Sequence, residues 1–226
     1  GDFIDFCKKQ DSANFSNIVI INPNNPVGRL LKKSEIIKII SKLTRFNIIV
    51  DESFIDFSDH GESVLDQITN FGNLTVIKSF GKTLGMPGAR LGAIYSNSDY
   101  IRKISKNIPI WNVNCIASYI LKSMSQNHFK EKLYISIDKV KEDTQQLYND
   151  LSRVPYLKVY TPTGNFVMAK ILNGMLSNEL RDILFQEKIL IRDCSNKMGL
   201  DPKYIRVASR NKRENLDIAR HVEMVL

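Results

Sequence analysis

Leu74-Thr75-Val76-Ile77-Lys78-Ser79-Phe80-Gly81-Lys82-Thr83-Leu84-Gly85-Met86-Pro87-Gly88-Ala89-Arg90 decides the reading of this chain. Leu74 to Lys78 has the composition of a buried strand, and it delivers Ser79 and Lys82 one turn apart. Arg90 follows eight positions after Lys82. A lysine at the end of a strand, flanked by a hydroxyl and a guanidinium, suits a phosphorylated aldehyde. The amine bonds the carbonyl carbon, and the other two groups take the phosphate. Two other motifs use the same letters. Gly81-Lys82-Thr83 resembles the end of a P-loop, but the glycine required five positions earlier is Val76. Ser79-x-x-Lys82 matches the S-x-x-K of penicillin-recognising enzymes, but the companion S-D-N and K-T-G motifs are in the wrong order. Both readings fail.

Two more strand ends carry polar residues. Asn22-Pro23-Asn24-Asn25-Pro26-Val27-Gly28 follows the apolar run Ile18-Val19-Ile20-Ile21, and Asp51-Glu52-Ser53-Phe54 follows Asn47-Ile48-Ile49-Val50. In open parallel α/β sheets the carboxyl ends of the strands form the ligand crevice. A lone Asp-Glu at a strand end is ordinarily a solvated terminus, and a lone lysine in a strand-to-helix loop an ordinary surface cation. The three segments in this order are what point to a site.

Together, N-P-N-N-P-x-G, D-E-S-F-I-D-F and S-F-G-K-x-x-x-M-P-G-A-R-L-G resemble the fold-type I, pyridoxal-phosphate-dependent aminotransferases. Within them the chain is most similar to the branch of histidinol-phosphate aminotransferases and threonine-phosphate decarboxylases. Pro109-Ile110-Trp111-Asn112-Val113-Asn114, Thr163-Gly164-Asn165-Phe166, Ile189 to Cys194 and Tyr204-Ile205-Arg206-Val207 extend the resemblance along nearly the whole chain.

The resemblance implies a role for each residue. Lys82 would carry the cofactor aldehyde as a Schiff base and, once freed, shuttle a proton at the substrate α-carbon. Asp51 would pair with the pyridine nitrogen and keep it protonated, since a cationic ring is the electron sink. Asn25 would donate to the ring 3′-oxygen, in a turn stiffened by Pro23 and Pro26. Ser79 and Arg90 would grip the cofactor phosphate. Phe54 is a departure: many relatives place a tyrosine there, whose hydroxyl reaches the 3′-oxygen, and phenylalanine leans toward the decarboxylases. Arg206 and Arg192 match substrate-anchoring arginines, and a pair of them suits a small amine or amino acid with two anionic ends. Arg210, Trp111, Asn114 and Asn165 are further candidates for the substrate cleft, with packing an equal reading. Transamination is the reaction the resemblance gives first, decarboxylation the alternative. The joint presence of Lys82, Asp51, Asn25, Ser79 and Arg90 speaks against a third reading, a non-catalytic module within a fused protein.

Composition narrows the classes. A chain of 226 residues with 43% apolar content builds a sizeable core. The net charge of +8 is spread over helices with acids interleaved, as in Lys139-Val140-Lys141-Glu142, so solvated faces account for it and no nucleic-acid partner is expected. There is no run of eighteen apolar residues, so no membrane partner is expected, nor a secretion leader. Cys7, Cys115 and Cys194 lack metal spacing and read as reduced thiols of a cytoplasmic protein. Three scattered histidines make no metal site.

The expected fold class is α/β, the C-terminal part of a fold-type I transferase. A mostly parallel sheet with helices on both faces would form a large domain over 1–127. A long linking helix and a small α/β domain would occupy 128–226. Strands are expected near 18–22, 47–52, 74–80 and 90–96, then 156–160, 165–171, 188–194 and 203–208. Helices are expected near 33–43, 98–106, 113–126, 129–152, 177–187 and 212–225. The unbroken apolar runs at 18–21 and 47–50 predict burial on both sheet faces. The resemblance further implies a longer polypeptide that supplies a phosphate-binding turn and a ring-stacking aromatic, poor cofactor binding by this piece alone, and a homodimer.

Overall fold

Apolar runs with polar ends become a four-stranded sheet in the computed structural model, which describes residues 3–10 and 14–226. The chain divides into two compact units, one of residues 1–23 and 30–134, the other of 24–29 and 135–226.

The first unit runs α1 (Phe3–Lys8), β1 (Asn17–Ile21), α2 (Lys33–Lys42), β2 (Asn47–Asp51), β3 (Leu74–Ser79), α3 (Phe80–Thr83), β4 (Gly92–Ser96), α4 (Ser98–Ser105) and α5 (Cys115–Met124), and ends within α6 (Asn127–Leu151). The sheet order is β1-β2-β3-β4. The first three strands are parallel and β4 is antiparallel to β3. Helix starts follow local chemistry: Glu35 reaches back to the Lys32 amide at 2.8 Å, and Asn97 and Asn114 cap α4 and α5 through Tyr100 N and Ala117 N. Ile36, Ile39 and Ile40 of α2 share one core with Ile20, Ile48, Val50, Leu74 and Val76. β1 falls short of the expected two-sided burial. Its side chains alternate, so Ile20 enters that core while Val19 is 62% exposed on the opposite face.

The second unit takes the remainder of α6, then β5 (Leu157–Tyr160), β6 (Phe166–Ile171), α7 (Ser177–Gln186), β7 (Arg192–Asp193), β8 (Tyr204–Ala208) and α8 (Lys212–Val225). Its sheet, β5-β6-β8-β7, is antiparallel throughout. Leu147 and Leu151 of α6 join Val167, Ile171, Leu180, Leu184, Ile205 and Val222 in its core. The strand expected over 188–194 shrinks to two residues. Lys188 turns into the left-handed region (φ 63°) to end α7, and Leu190 stays exposed, so pairing begins only at Arg192.

Candidate active site

In the first unit, the parallel strands bring their carboxyl ends to one edge. Register pairs Ile21 with Asp51 and Asp51 with Ile77, two residues before Ser79. Asp51 is half-buried, and its Oδ1 accepts from Ser53 N (3.0 Å) and Ser53 Oγ (2.5 Å). Its Oδ2 has no partner among the described residues. Glu52, next in line, points into the protein: its carboxylate accepts from Ser63 Oγ at 2.6 Å and Val64 N at 2.7 Å. Alternation along the chain thus gives the two adjacent acids opposite fates.

Lys82 lies on the single turn α3. Phe80 and Leu84, on either side of it, pack against Ala89, Leu91, Ala117 and Ile120. The Lys82 ammonium is exposed, stands 5.8 Å from the centre of the buried Phe54 ring, and has no carboxylate partner among the described residues. The Ser79 hydroxyl is likewise without a hydrogen bond among them. Arg90 adopts the left-handed backbone (φ 52°, ψ 48°) after the turn Pro87–Ala89, and its one side-chain hydrogen bond among the described residues is a long one, 3.4 Å, to the Pro87 carbonyl. A non-glycine residue held in that region costs of order 1 kcal/mol and commonly marks a functional position. Polar neighbours outside this group are paired: Lys78 Nζ meets Asp56 at 3.0 Å, and Thr83 Oγ1 donates to Asp56 Oδ2 at 2.6 Å. Those three went unassigned in the sequence; the available signal was a lysine, Lys78, inside an apolar strand.

Gly92 sits opposite Ser79 in the β3–β4 ladder, and a Cβ there would lie 2.8 Å from the Lys78 carbonyl oxygen. Backbone cannot yield as a side chain can. Gly92→Ala is therefore expected to destabilise the protein by about 1–3 kcal/mol, read as a lower urea midpoint at unchanged slope.

Burial raises the Glu52 carboxyl above its ordinary value near 4.5, against the lowering effect of Ser63, Val64 and Lys78. Between that ordinary value and the raised one, the folded protein holds a proton the unfolded chain has lost. Unfolding free energy contributed by this group therefore falls as pH rises across the window and is flat above it. Glu52→Gln is expected to remove this slope. Urea titrations of both proteins from pH 4 to 8 check it: their difference should change across the window and then level off.

In the second unit, Arg206 of β8 donates from Nη1 to Asn25 Oδ1 at 2.6 Å, and its guanidinium lies 5.2 Å from the centre of the Phe166 ring. Its Nε is buried without a hydrogen-bond partner among the described residues. Burial pulls its pKa down from the usual arginine value. Arg192 pairs in register with Arg206 across β7 and β8. Both line a pocket of about 360 Å³ with Arg181, Leu190, Asp193 and Asn196. The Asn25 turn is tied to the same unit: the Thr163 hydroxyl donates to the Gly28 carbonyl, and Gly28 (φ 73°) faces the Phe166 ring. Arg181 was not anticipated, because a helical arginine carries no motif. Of the further candidates, Asn114 caps α5 and donates to the Ala89 carbonyl at 3.2 Å. Arg210 is exposed beside Glu214, Asn165 accepts from the Ser209 amide through its backbone carbonyl, and Trp111 is 92% exposed.

The family model for aminotransferase class I and II matches residues 2–222. The chain belongs to that family. Among its relatives, an L-serine phosphate decarboxylase of Campylobacter jejuni is 33% identical over 224 residues, 94% of this chain and 56% of that protein. A histidinol-phosphate aminotransferase of Clostridium novyi is 32% identical over 202 residues, 88% of this chain and 53% of that one. The solved L-threonine-O-3-phosphate decarboxylase of Porphyromonas gingivalis superposes with a TM-score of 0.83 at 26% identity, covering 96% of this chain and 66% of that one. The fold is thus that of the fold-type I transferases, in the branch holding both kinds of enzyme. The chain spans about half the length of the curated relatives it matches.

Class I and II aminotransferases work with pyridoxal phosphate. The residues here fit that group by their donor set. A carboxylate with a vacant oxygen (Asp51), an amine (Lys82), a hydroxyl (Ser79) and a guanidinium (Arg90) stand unpaired or nearly so, amid neighbours whose polar groups are paired. Among the described residues no cluster of metal-ligating side chains occurs, and no helix is long and apolar enough to cross a membrane.

Proposed function

We propose that this chain supplies the lysine-bearing strand ends and the arginine-bearing lobe of a pyridoxal-phosphate enzyme that decarboxylates a phosphorylated amino acid. The observation carrying the reading is the set of polar groups with unfilled bonding capacity among the described residues, Asp51, Ser79, Lys82 and Arg90, at and just beyond one sheet edge. When bound, the cofactor supplies an electron sink for the bond broken at the substrate α-carbon.

Lys82 is the covalent anchor and afterwards the base or acid that moves a proton at the α-carbon. Asp51, oriented by Ser53, holds a proton on the ring nitrogen. Ser79 and Arg90 bind the cofactor phosphate, Arg90 through a planar fork. Asn25 is assigned the ring 3′-oxygen, and Phe54 contributes only an apolar wall because it lacks a hydroxyl. Arg206 and Arg192 are assigned the anionic ends of the substrate. By fixing them, the arginines choose which α-carbon bond is aligned for cleavage.

Transamination of a phosphorylated or phosphonylated amine is the second reading, supported by the similarity to the Clostridium novyi aminotransferase. Phe54 and the two phosphoamino-acid decarboxylases named above tilt the balance to decarboxylation. The full-length protein, incubated with O-phosphothreonine or O-phosphoserine, should release carbon dioxide. Glutamate formed from histidinol phosphate and 2-oxoglutarate would establish the second reading instead. Neither product, together with no visible absorbance on adding cofactor, would leave a non-catalytic member of the family. Self-association into a homodimer is part of this reading, and sedimentation of the full-length protein checks it.

A further inference from the structure

Lys82 sits on a helix of four residues, Phe80–Thr83. A single turn does not hold its own shape in water, because nucleation costs more than one hydrogen bond returns. Its apolar side is anchored by Phe80 and Leu84, and its start by the Phe80 amide to the Leu91 carbonyl at 3.0 Å. Those contacts fix the turn on the side away from Lys82. On the other side stands the segment Phe54–Phe57, which touches the turn twice. The Phe54 ring lies 5.8 Å from the Lys82 ammonium. Two residues later, Asp56 accepts from the Thr83 hydroxyl at 2.6 Å.

Asp56 is itself held. Its other oxygen meets Lys78 Nζ at 3.0 Å, and that ammonium is 3.9 Å from the fully buried Glu52 carboxylate. The Lys78 side chain is only 15% exposed, so the pairing is shielded from water and salt. Asp56 thereby ties the end of β3, through Lys78, to the residue directly after Lys82, through Thr83.

We propose that Asp56 is a positioning residue for Lys82, acting through the Thr83 hydroxyl. The inference rests on the assignment of Lys82 as the cofactor lysine. Loosening the tether lets the turn rock and the amine wander. A displacement of about 1 Å at a reacting group costs up to about 100-fold in rate. Substrate binding, assigned to arginines of the other unit, is untouched.

Thr83→Val, Thr83→Ser and Asp56→Ala in the full-length protein test this, with two readouts. The first is the yield of borohydride-trapped pyridoxyl label on the Lys82 peptide at limiting cofactor. The second is kcat and KM. Thr83→Val and Asp56→Ala should each lower the label several-fold and kcat by roughly 10- to 100-fold, with KM within about threefold. Thr83→Ser, which keeps the hydroxyl, should stay near wild type. The double variant Asp56→Ala/Thr83→Val should be no worse than Asp56→Ala alone, because that single change already removes the acceptor of the Thr83 hydroxyl. Wild-type label and kcat in Thr83→Val would overturn the inference while leaving Lys82 as cofactor lysine. A Thr83→Ser variant as poor as Thr83→Val, or losses that merely track a lowered melting temperature, would also overturn it. Label on another peptide in the wild type removes the cofactor assignment and this inference together.

Discussion

On the proposed assignment, Lys82→Ala in the full-length protein is expected to lower kcat by at least about 10⁴-fold, the upper range for a positioned acid–base group, because it would remove the covalent anchor as well. The fold should survive. Lys82 is exposed, makes no ion pair among the described residues, and its ammonium stands 5.8 Å from the centre of the Phe54 ring. Melting temperature should therefore change by a degree or two at most, in a protein that has lost its chemistry. The measurement that carries weight is mass spectrometry after borohydride reduction: label on the Lys82 peptide in wild type, none in the variant. Residual turnover above about one part in a thousand would mean that another amine does the work.

Asp51→Asn should rank next. Asparagine keeps the shape, and its carbonyl still accepts from Ser53, which now bonds Asp51 at 3.0 and 2.5 Å. It removes the negative charge. An ionised carboxylate beside a cationic nitrogen shifts proton affinity by about 1–3 units, so losing it costs roughly 10- to 1,000-fold in protonated ring at neutral pH. The fall should appear in kcat and shrink as pH is lowered, because acid would restore the ring proton that the proposed role gives Asp51 to retain. A pH-independent loss would assign Asp51 a merely structural role.

Much of this was legible in the sequence, for reasons tied to particular residues. The strands of the first unit were placed within two residues because apolar runs there end abruptly in Asn22, Asp51 and Ser79. The helix expected over 212–225 has those bounds in the structure, where Asn211 caps it by accepting from the Glu214 amide. β7 was overestimated because Ile189, Leu190 and Ile191 have strand composition, while the left-handed turn at Lys188 that shortens it leaves no local signal. The site residues stand within local motifs, but the pairing of Asp56 with Lys78 and Thr83 joins positions 22 and 27 apart, and such links exist only once the chain is folded. The link from Arg206 to Asn25 bridges 181 positions and was hidden for the same reason.

Because residues 24–29 belong with 135–226, the polypeptide passes from one unit to the other at 23/24, 29/30 and 134/135. A lobe of residues 135–226 made by itself would therefore lack a six-residue insert that packs with it. Arg206 would forfeit the acceptor Asn25, and Thr163 the Gly28 carbonyl. Anyone expressing the smaller lobe in isolation would need to splice that insert back in, or accept a guanidinium left searching for water.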